Sequence, residues 1–215
     1  MTSDQYRGGG LSIRKRAFDI LVGATGLVLL APITLLTAAL VRISLGSPIV
    51  FRQERPGLNG QPFEVLKFRT MKQDTLNQGV ASDQARITPM GQFIRRCSLD
   101  EIPQLWSILK GDMSLVGPRP LLTEYLPLYS DRQRMRHLVK PGLTGLAQVN
   151  GRNQASWVKR FEMDVWYVEN WSFMLDLKIL VKTVLVVVSG SGVTGSGHVT
   201  VEPFRGNKHE NEIER

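Results

Sequence analysis

Residues 20–41 form a run of 22 residues without a charged side chain, interrupted near its middle by Pro32, and this run constrains the fold more than any other feature of the chain. A straight helix of that length covers about 33 Å, close to the roughly 30 Å of a bilayer core. Pro32 removes a helix hydrogen bond and bends the axis. Arg14, Lys15 and Arg16 precede the run, and Arg42, Arg52 and Arg55 follow it. A spanning helix leaves its positive side on the cytoplasm only, whereas these cations draw both ends to one side. The run therefore reads as a broken helix that enters a membrane and returns, with Pro32 as the break. A straight spanning helix and a secretory signal peptide are the alternatives. A signal peptide has an apolar region of roughly 7–15 residues and a small-residue cleavage site, and this run is longer and lacks a clean site.

The remaining composition narrows the class. At 215 residues with 42% hydrophobic content, the chain can build one domain with a real core. The formal charge of +8 calls for an anionic partner, whether nucleic acid, anionic lipid or a phosphate-rich substrate. No basic stripe with interleaved aromatics is present, which argues against nucleic acid. The single cysteine, Cys97, excludes an intrachain disulfide, and His137, His198 and His209 show no zinc-site spacing. Cys97 reads as a small packing residue.

Residues 95–120, RRCSLDEIPQLWSILKGDMSLVGPRP, set two adjacent carboxylates, Asp100 and Glu101, between arginines. Pro103 is tolerated only in a first helical turn, which puts the helix start at 98–100 and the acidic pair at its positive end. Ser98 with Glu101 reads as a capping box, Ile102, Leu105, Trp106 and Leu109 as an apolar face, and Gly111 as the stop. On this stretch alone, a well-capped amphipathic helix is an equal reading. Pro118 and Pro120 push Arg119 into an extended backbone and present its planar fork from a stiff loop, which suits bidentate phosphate binding.

At these residues the chain resembles the bacterial monotopic phosphoglycosyl transferases, which begin glycan assembly on a polyprenol phosphate carrier. SLDEIPQLW followed by GDMSLVGPRP carries the resemblance. It continues through FRQERPGLNGQPFEVLKFRTM (51–71), KPGLTGLAQVNGRN (140–153) and DVWYVENWSFMLDLKIL (164–180), covering most of 14–188. The resemblance implies an α/β (α+β) fold: a small membrane-associated domain with an N-terminal re-entrant helix, amphipathic interface helices and a small β-hairpin. It also implies transfer of a sugar 1-phosphate from a UDP-sugar to undecaprenyl phosphate with release of UMP, on the cytoplasmic face of the inner membrane. Asp100 would be the nucleophile that forms an aspartyl phosphosugar intermediate, with Glu101 as base or metal partner. Mg2+, which prefers oxygen ligands and substrate phosphates, suits the pair. Lys67, Arg95 and Arg119 would neutralise phosphoryl charge. The family's break is commonly Ser-Pro; here it is Ala31-Pro32, and Ala31 has no hydroxyl to bond back to a carbonyl.

The rest of the chain reads as follows. Residues 1–13 are a loose, glycine-containing lead-in, 14–45 the membrane helix, 46–188 the catalytic domain and 189–215 a flexible tail. Residues 48–53 and 63–70 are strands joined by a turn over 55–62. The two-residue period sets Lys67 and Arg69 on one face, fit either for a nucleotide diphosphate or for a solvated strand edge. Residues 123–138 read as a helix whose Arg132, Arg134 and Arg136 form a basic surface. In KPGLTGLAQVNGR, Gly145 and Gly151 allow close approach to a ligand, and Thr144, Gln148 and Arg152 complete an anion pocket. Half of the aromatic group Trp157, Phe161, Trp166, Tyr167, Trp171 and Phe173 is expected in the core, the rest at the membrane interface. Residues 175–188 are too short to span and lie in the interface or on the core. Membrane lipid is the expected third partner, and a homodimer stays open. The rival class is a non-catalytic protein whose arginines bind anionic lipid and whose acidic pair only caps a helix.

Overall fold

A computed structural model describes residues 12–72, 86–150, 155–189 and 203–207. The uncharged run forms two helices, α1 (Ile13–Leu29) and α2 (Ala31–Leu45), that meet at a 61° bend. Neither helix alone is long and apolar enough to cross a membrane, whereas the bent pair is so by length and composition. Pro32 lies in the first turn of α2, where its missing N–H costs least. The hydroxyl that Ala31 lacks at the break is supplied by Thr34, which donates to the Leu30 carbonyl at 2.7 Å.

One stripe of α1, formed by Lys15, Asp19 and Gly23 at helical spacing, faces the protein. Lys15 Nζ donates to Asp176 Oδ2 at 2.5 Å and to the Val116 carbonyl at 3.0 Å, and Asp19 Oδ1 accepts the Leu115 amide at 3.0 Å. Arg16 donates to the Ile108 and Leu109 carbonyls at the end of another helix. Two of the three cations that precede the run are thus spent inside the protein, while Arg14 before it and Arg42 after it are exposed. Further along, Gly23 and Gly26 let α1 lie close on that same helix: a Cβ at either would sit 3.3 Å from a leucine methyl group, of Leu109 and Leu105 respectively.

Strands β1 (Val50–Pro56) and β2 (Pro62–Phe68) make the expected hairpin, with Pro56 opposite Pro62, so its turn is tighter than the sequence suggests. After α3 (Pro89–Arg96) comes a 3-10 turn, Leu99–Glu101, and then α4 (Gln104–Lys110), closed by Gly111 in the left-handed region at φ 97°. A short parallel pair not foreseen from sequence, β3 (Ser114–Val116) and β4 (Gly142–Thr144), follows. The region expected as one helix over 123–138 is a 3-10 segment (Thr123–Leu128), a short α5 (Asp131–Arg134) and a second 3-10 turn (Met135–Leu138). Pro127 and the capping box at Ser130 break the continuity. The chain then runs through α6 (Leu146–Asn150), α7 (Trp157–Glu169) and α8 (Phe173–Val188).

The main core joins Ile102, Leu105 and Ile108 of the α4 region to β3 and to Tyr167, Val168 and Ile179. Ile102 and Leu105 of the expected apolar face are buried, but Trp106 points outward and Ile108 takes its place in the core. Trp157, Phe161 and Tyr167 are buried, Trp166 and Phe173 exposed and Trp171 partly buried, close to the expected half. Trp157 and Phe161 join Tyr125, Tyr129 and Phe204 in a second, aromatic core. Phe204 corrects the expected free tail, because residues 203–207 return to the body and its amide donates to the Tyr125 hydroxyl at 3.2 Å. The remainder of that tail and residues 1–11 lie outside the described residues. Cys97 is exposed, which corrects its reading as a packing residue.

Removing one partner of a buried ion pair leaves an uncompensated charge and costs about 3–5 kcal/mol. Lys15→Met should therefore lower the melting temperature of the detergent-solubilised protein by roughly 10 °C. A shift below about 2 °C in thermal unfolding would show that α1 docks without this contact.

Candidate functional site

The acidic pair sits on the 3-10 turn between α3 and α4. The expected capping box does not form, because Ser98 adopts the left-handed conformation (φ 56°, ψ 21°) to redirect the chain out of α3. An N-cap oxygen needs extended backbone to reach the following amides, and Ser98 lacks it. The Glu101 carboxylate turns instead to two cations. Its Oε1 accepts Lys67 Nζ at 2.6 Å and Arg119 Nη2 at 2.8 Å. Lys67 comes from β2 and Arg119 from the irregular 118–122 segment, so three distant stretches converge on one oxygen.

Asp100 is 8% exposed and makes no hydrogen bond among the described residues. Burial and then the Glu101 charge push its carboxyl above the ordinary value, against the pull of Lys67, Arg95 and Arg119. The helix N-terminus expected at the acidic pair lies further on, since α4 begins only at Gln104. Glu101 moves the other way: burial opposes its charge, but Arg119 and Lys67 outweigh burial and hold the carboxyl well below the usual range. The exposed Arg119 is in turn held protonated by the charge of Glu101. Arg95 donates Nε to Thr70 Oγ1 at 2.8 Å and is among the cations that act on Asp100.

Other expected site residues are engaged elsewhere. Arg69 lies just past β2, buried, and donates to the Leu45 and Ser47 carbonyls at the end of α2. The Thr144 hydroxyl pairs with Thr183 of α8 at 2.7 Å, and Gln148 Nε2 donates to the Leu143 carbonyl at 3.0 Å. Neither meets Glu101 or Arg119. Gly145 does allow a close approach, but to backbone: a Cβ there would lie 2.2 Å from the Gly117 carbonyl oxygen. That contact lays the 140–145 stretch against the residue that leads into Pro118 and Arg119. Arg152 and Gly151 lie outside the described residues.

Sequence reasoning missed Arg136, placed on a basic surface and found 2% exposed. Its Nη2 donates to Asp164 Oδ2 and to the Arg119 carbonyl, both at 2.7 Å, and its Nε to Asp164 Oδ2 at 3.1 Å. Arg136 thereby ties the backbone of Arg119 to α7. Its partner lies 28 residues along the chain, and no local pattern reports such a pairing.

Comparison with known proteins gives the family of the chain. Residues 11–190 match the bacterial sugar transferase family. The chain is 54% identical over 196 residues to EpsL of Bacillus subtilis, an uncharacterized sugar transferase, covering 91% of this chain and 97% of that protein. It is 42% identical over 185 residues to the UDP-glucose:undecaprenyl-phosphate glucose-1-phosphate transferase of Caulobacter vibrioides, covering 81% and 69%. It is 39% identical over 196 residues to the undecaprenyl-phosphate galactose phosphotransferase of Salmonella typhimurium, covering 83% of this chain and 41% of that longer protein. The chain belongs to the bacterial sugar transferase family.

The depressed Glu101 carboxyl contributes stability that is fully present above its ordinary value of 4.5 and is lost as pH falls below it. Lys67→Met removes part of that contribution. Its melting temperature should therefore fall clearly at pH 7 and much less once the pH is brought below the depressed value of the folded carboxyl, as read by thermal unfolding. Equal losses at both pH values would mean that Lys67 acts by packing alone.

Proposed function

We propose that this chain transfers a sugar 1-phosphate from a UDP-sugar to undecaprenyl phosphate and releases UMP. The observation that carries the reading is the division of labour in the acidic pair: among the described residues Asp100 is buried and unbonded, while Glu101 is neutralised by Lys67 and Arg119. The names of the relatives supply the reaction class. In the first step an Asp100 oxygen attacks the phosphorus that bears the sugar, and the bond from that phosphorus to the bridging oxygen of UMP breaks. In the second, an oxygen of undecaprenyl phosphate attacks the same phosphorus and Asp100 leaves as a carboxylate. Arg119 and Lys67 face the charge that builds on the phosphoryl oxygens. Glu101 keeps both cations aimed at that point.

The donor set fits Mg2+, because Asp100 has oxygens without hydrogen bonds and a carboxyl that a cation would help to ionise. Among the described residues no three His, Cys, Asp or Glu side chains converge, so such an ion would rest on Asp100, Glu101 and substrate phosphates. When bound, it would neutralise phosphate charge and orient the diphosphate.

The same reading places the protein as a monotopic member of the bacterial inner membrane, with its site on the cytoplasmic face. Both ends of the bent pair are tied to one body, by Lys15 and Arg16 at the start and by Arg69 on the Leu45 and Ser47 carbonyls at the finish. Near the bend, Val28, Leu29, Leu35 and Leu36 are exposed apolar side chains. A pair anchored at both ends and apolar at its bend suits a dip into lipid that returns. On α8, Met174, Val181, Leu185 and Val188 are exposed while Asp176 and Ile179 are buried, as expected of a helix lying in the interface. The polyprenol tail would then stay in lipid while its phosphate reaches Asp100.

Enzyme mixed with Mg2+ and a matching UDP-sugar alone should release up to one equivalent of UMP and gain the mass of a sugar phosphate. A panel including UDP-glucose and UDP-galactose covers the sugars in the relatives' names. Asp100→Asn should abolish both signals, an amide being a far weaker nucleophile. UMP that appears only when both substrates are present would make the reaction a direct transfer and Asp100 a ligand or base.

For the membrane arrangement, single cysteines at positions 12 and 47 should label from the same side of sealed inverted vesicles. The exposed Cys97 is first changed to serine. Labelling from opposite sides would establish a spanning segment.

A further inference from the structure

Strand β1 ends in Arg55-Pro56, and Pro56 lines the same small cavity as Pro118, Arg119 and Pro120. The hairpin therefore brings a second proline-backed arginine to the loop that presents Arg119. Arg55 is half-buried, and its Nη2 donates to Gln53 Oε1 at 2.6 Å. Among the described residues it forms no ion pair. The charged groups that face it are Arg119, which repels it, and the exposed Glu124, which attracts it from beyond contact distance. Burial first, and Arg119 second, push its guanidinium down to about 10, the mark of a cation short of negative charge.

A planar fork held half out of water, with only a neutral amide as acceptor, is under-satisfied. The neighbouring Arg119 has Glu101, but Lys67 shares that carboxylate. Two stiffly mounted forks with one shared acid suit an anion with two linked acceptor groups, one for each guanidinium. A diphosphate has that form.

We propose that Arg55 and Arg119 clamp the diphosphate of the nucleotide substrate, Arg119 on the phosphate nearer Asp100 and Arg55 on the phosphate that stays with the nucleoside. This rests on the nucleotide-sugar reading given above. Gln53 holds the Arg55 fork open until the phosphate arrives, and Pro56 limits its swing.

Isothermal titration of the full-length protein in detergent, with UDP and with UMP as probes, tests the assignment. Arg55→Gln should weaken both ligands by about ten- to a hundredfold, because both contain the nucleoside phosphate. Arg119→Gln should weaken UDP by a similar factor and UMP by less than about threefold. Gln53→Glu is a near-isosteric change that leaves Arg55 in place and gives it a carboxylate. It should weaken UMP severalfold, and it decides the question if Arg55→Gln unfolds. UDP and UMP affinities within twofold of wild type in both Arg55→Gln and Gln53→Glu would overturn the clamp. Failure of the unaltered protein to bind either nucleotide would overturn the nucleotide-sugar reading itself.

Discussion

The buried ammonium of Lys15 is the contact on which this architecture rests, because four elements meet there. Besides Asp176 of α8 and the Val116 carbonyl of β3, it lies 3.4 Å from the Tyr167 hydroxyl of α7. Tyr167 donates to Asp176 Oδ1 at 2.7 Å, and Trp171 donates to Oδ2 at 3.1 Å, so the carboxylate is well supplied with donors. A buried ion pair is weak evidence of net stability, and its better-attested role is to fix a register. An apolar helix resting glycine on leucine has many nearly equal placements. An ammonium that must find these acceptors has one. The register passes from Val116 through Gly117 to the loop that carries Arg119.

The carboxylates show how neighbouring residues of similar chemistry come to differ. Asp100 and Glu101 are adjacent, yet among the described residues Glu101 receives both direct hydrogen bonds and the Asp100 carboxyl receives none. Burial acts on both and the Lys67 and Arg119 charges pull on both, but among the described residues only Glu101 also receives their hydrogen bonds. The pair is thereby pushed apart in acidity, the condition under which two like groups take different roles. The 3-10 turn is what separates them. It advances about 120° per residue, so successive side chains leave in different directions.

Local chemistry made much of this legible in the sequence. Pro32 marked the break, Gly111 ended α4, and alternation with turn residues gave the hairpin. The motif over residues 95–120 picked out Asp100, Glu101 and Arg119, and the strand pattern picked out Lys67. What escaped were pairings across long separations. Lys15 with Asp176, Arg136 with Asp164 and the β3–β4 pair each join residues whose own neighbourhoods carry no sign of the partner. Lys15 and Arg136 sit in runs of basic residues, where charge alone reads as surface. Ser98 failed for a different reason: its sequence fits a cap, but the change of chain direction overrides that preference with a left-handed backbone.

Phe204 adds an order of events to the geometry. The aromatic core takes Tyr125, Tyr129, Trp157 and Phe161 from earlier stretches, then waits for a ring that follows all four in the chain. Phe204 stacks edge-on against Phe161 at 5.0 Å, and its amide reaches Tyr125 across 79 residues of sequence. Closing so long a loop is a slow step relative to local helix formation. During synthesis, the wall that supports Tyr129, and with it the Arg136 contact to the Arg119 carbonyl, stays unfinished until residue 204 has emerged. The bent α1–α2 pair, by contrast, precedes all of these stretches in the chain, so it is made before the loop that carries Arg119 is braced.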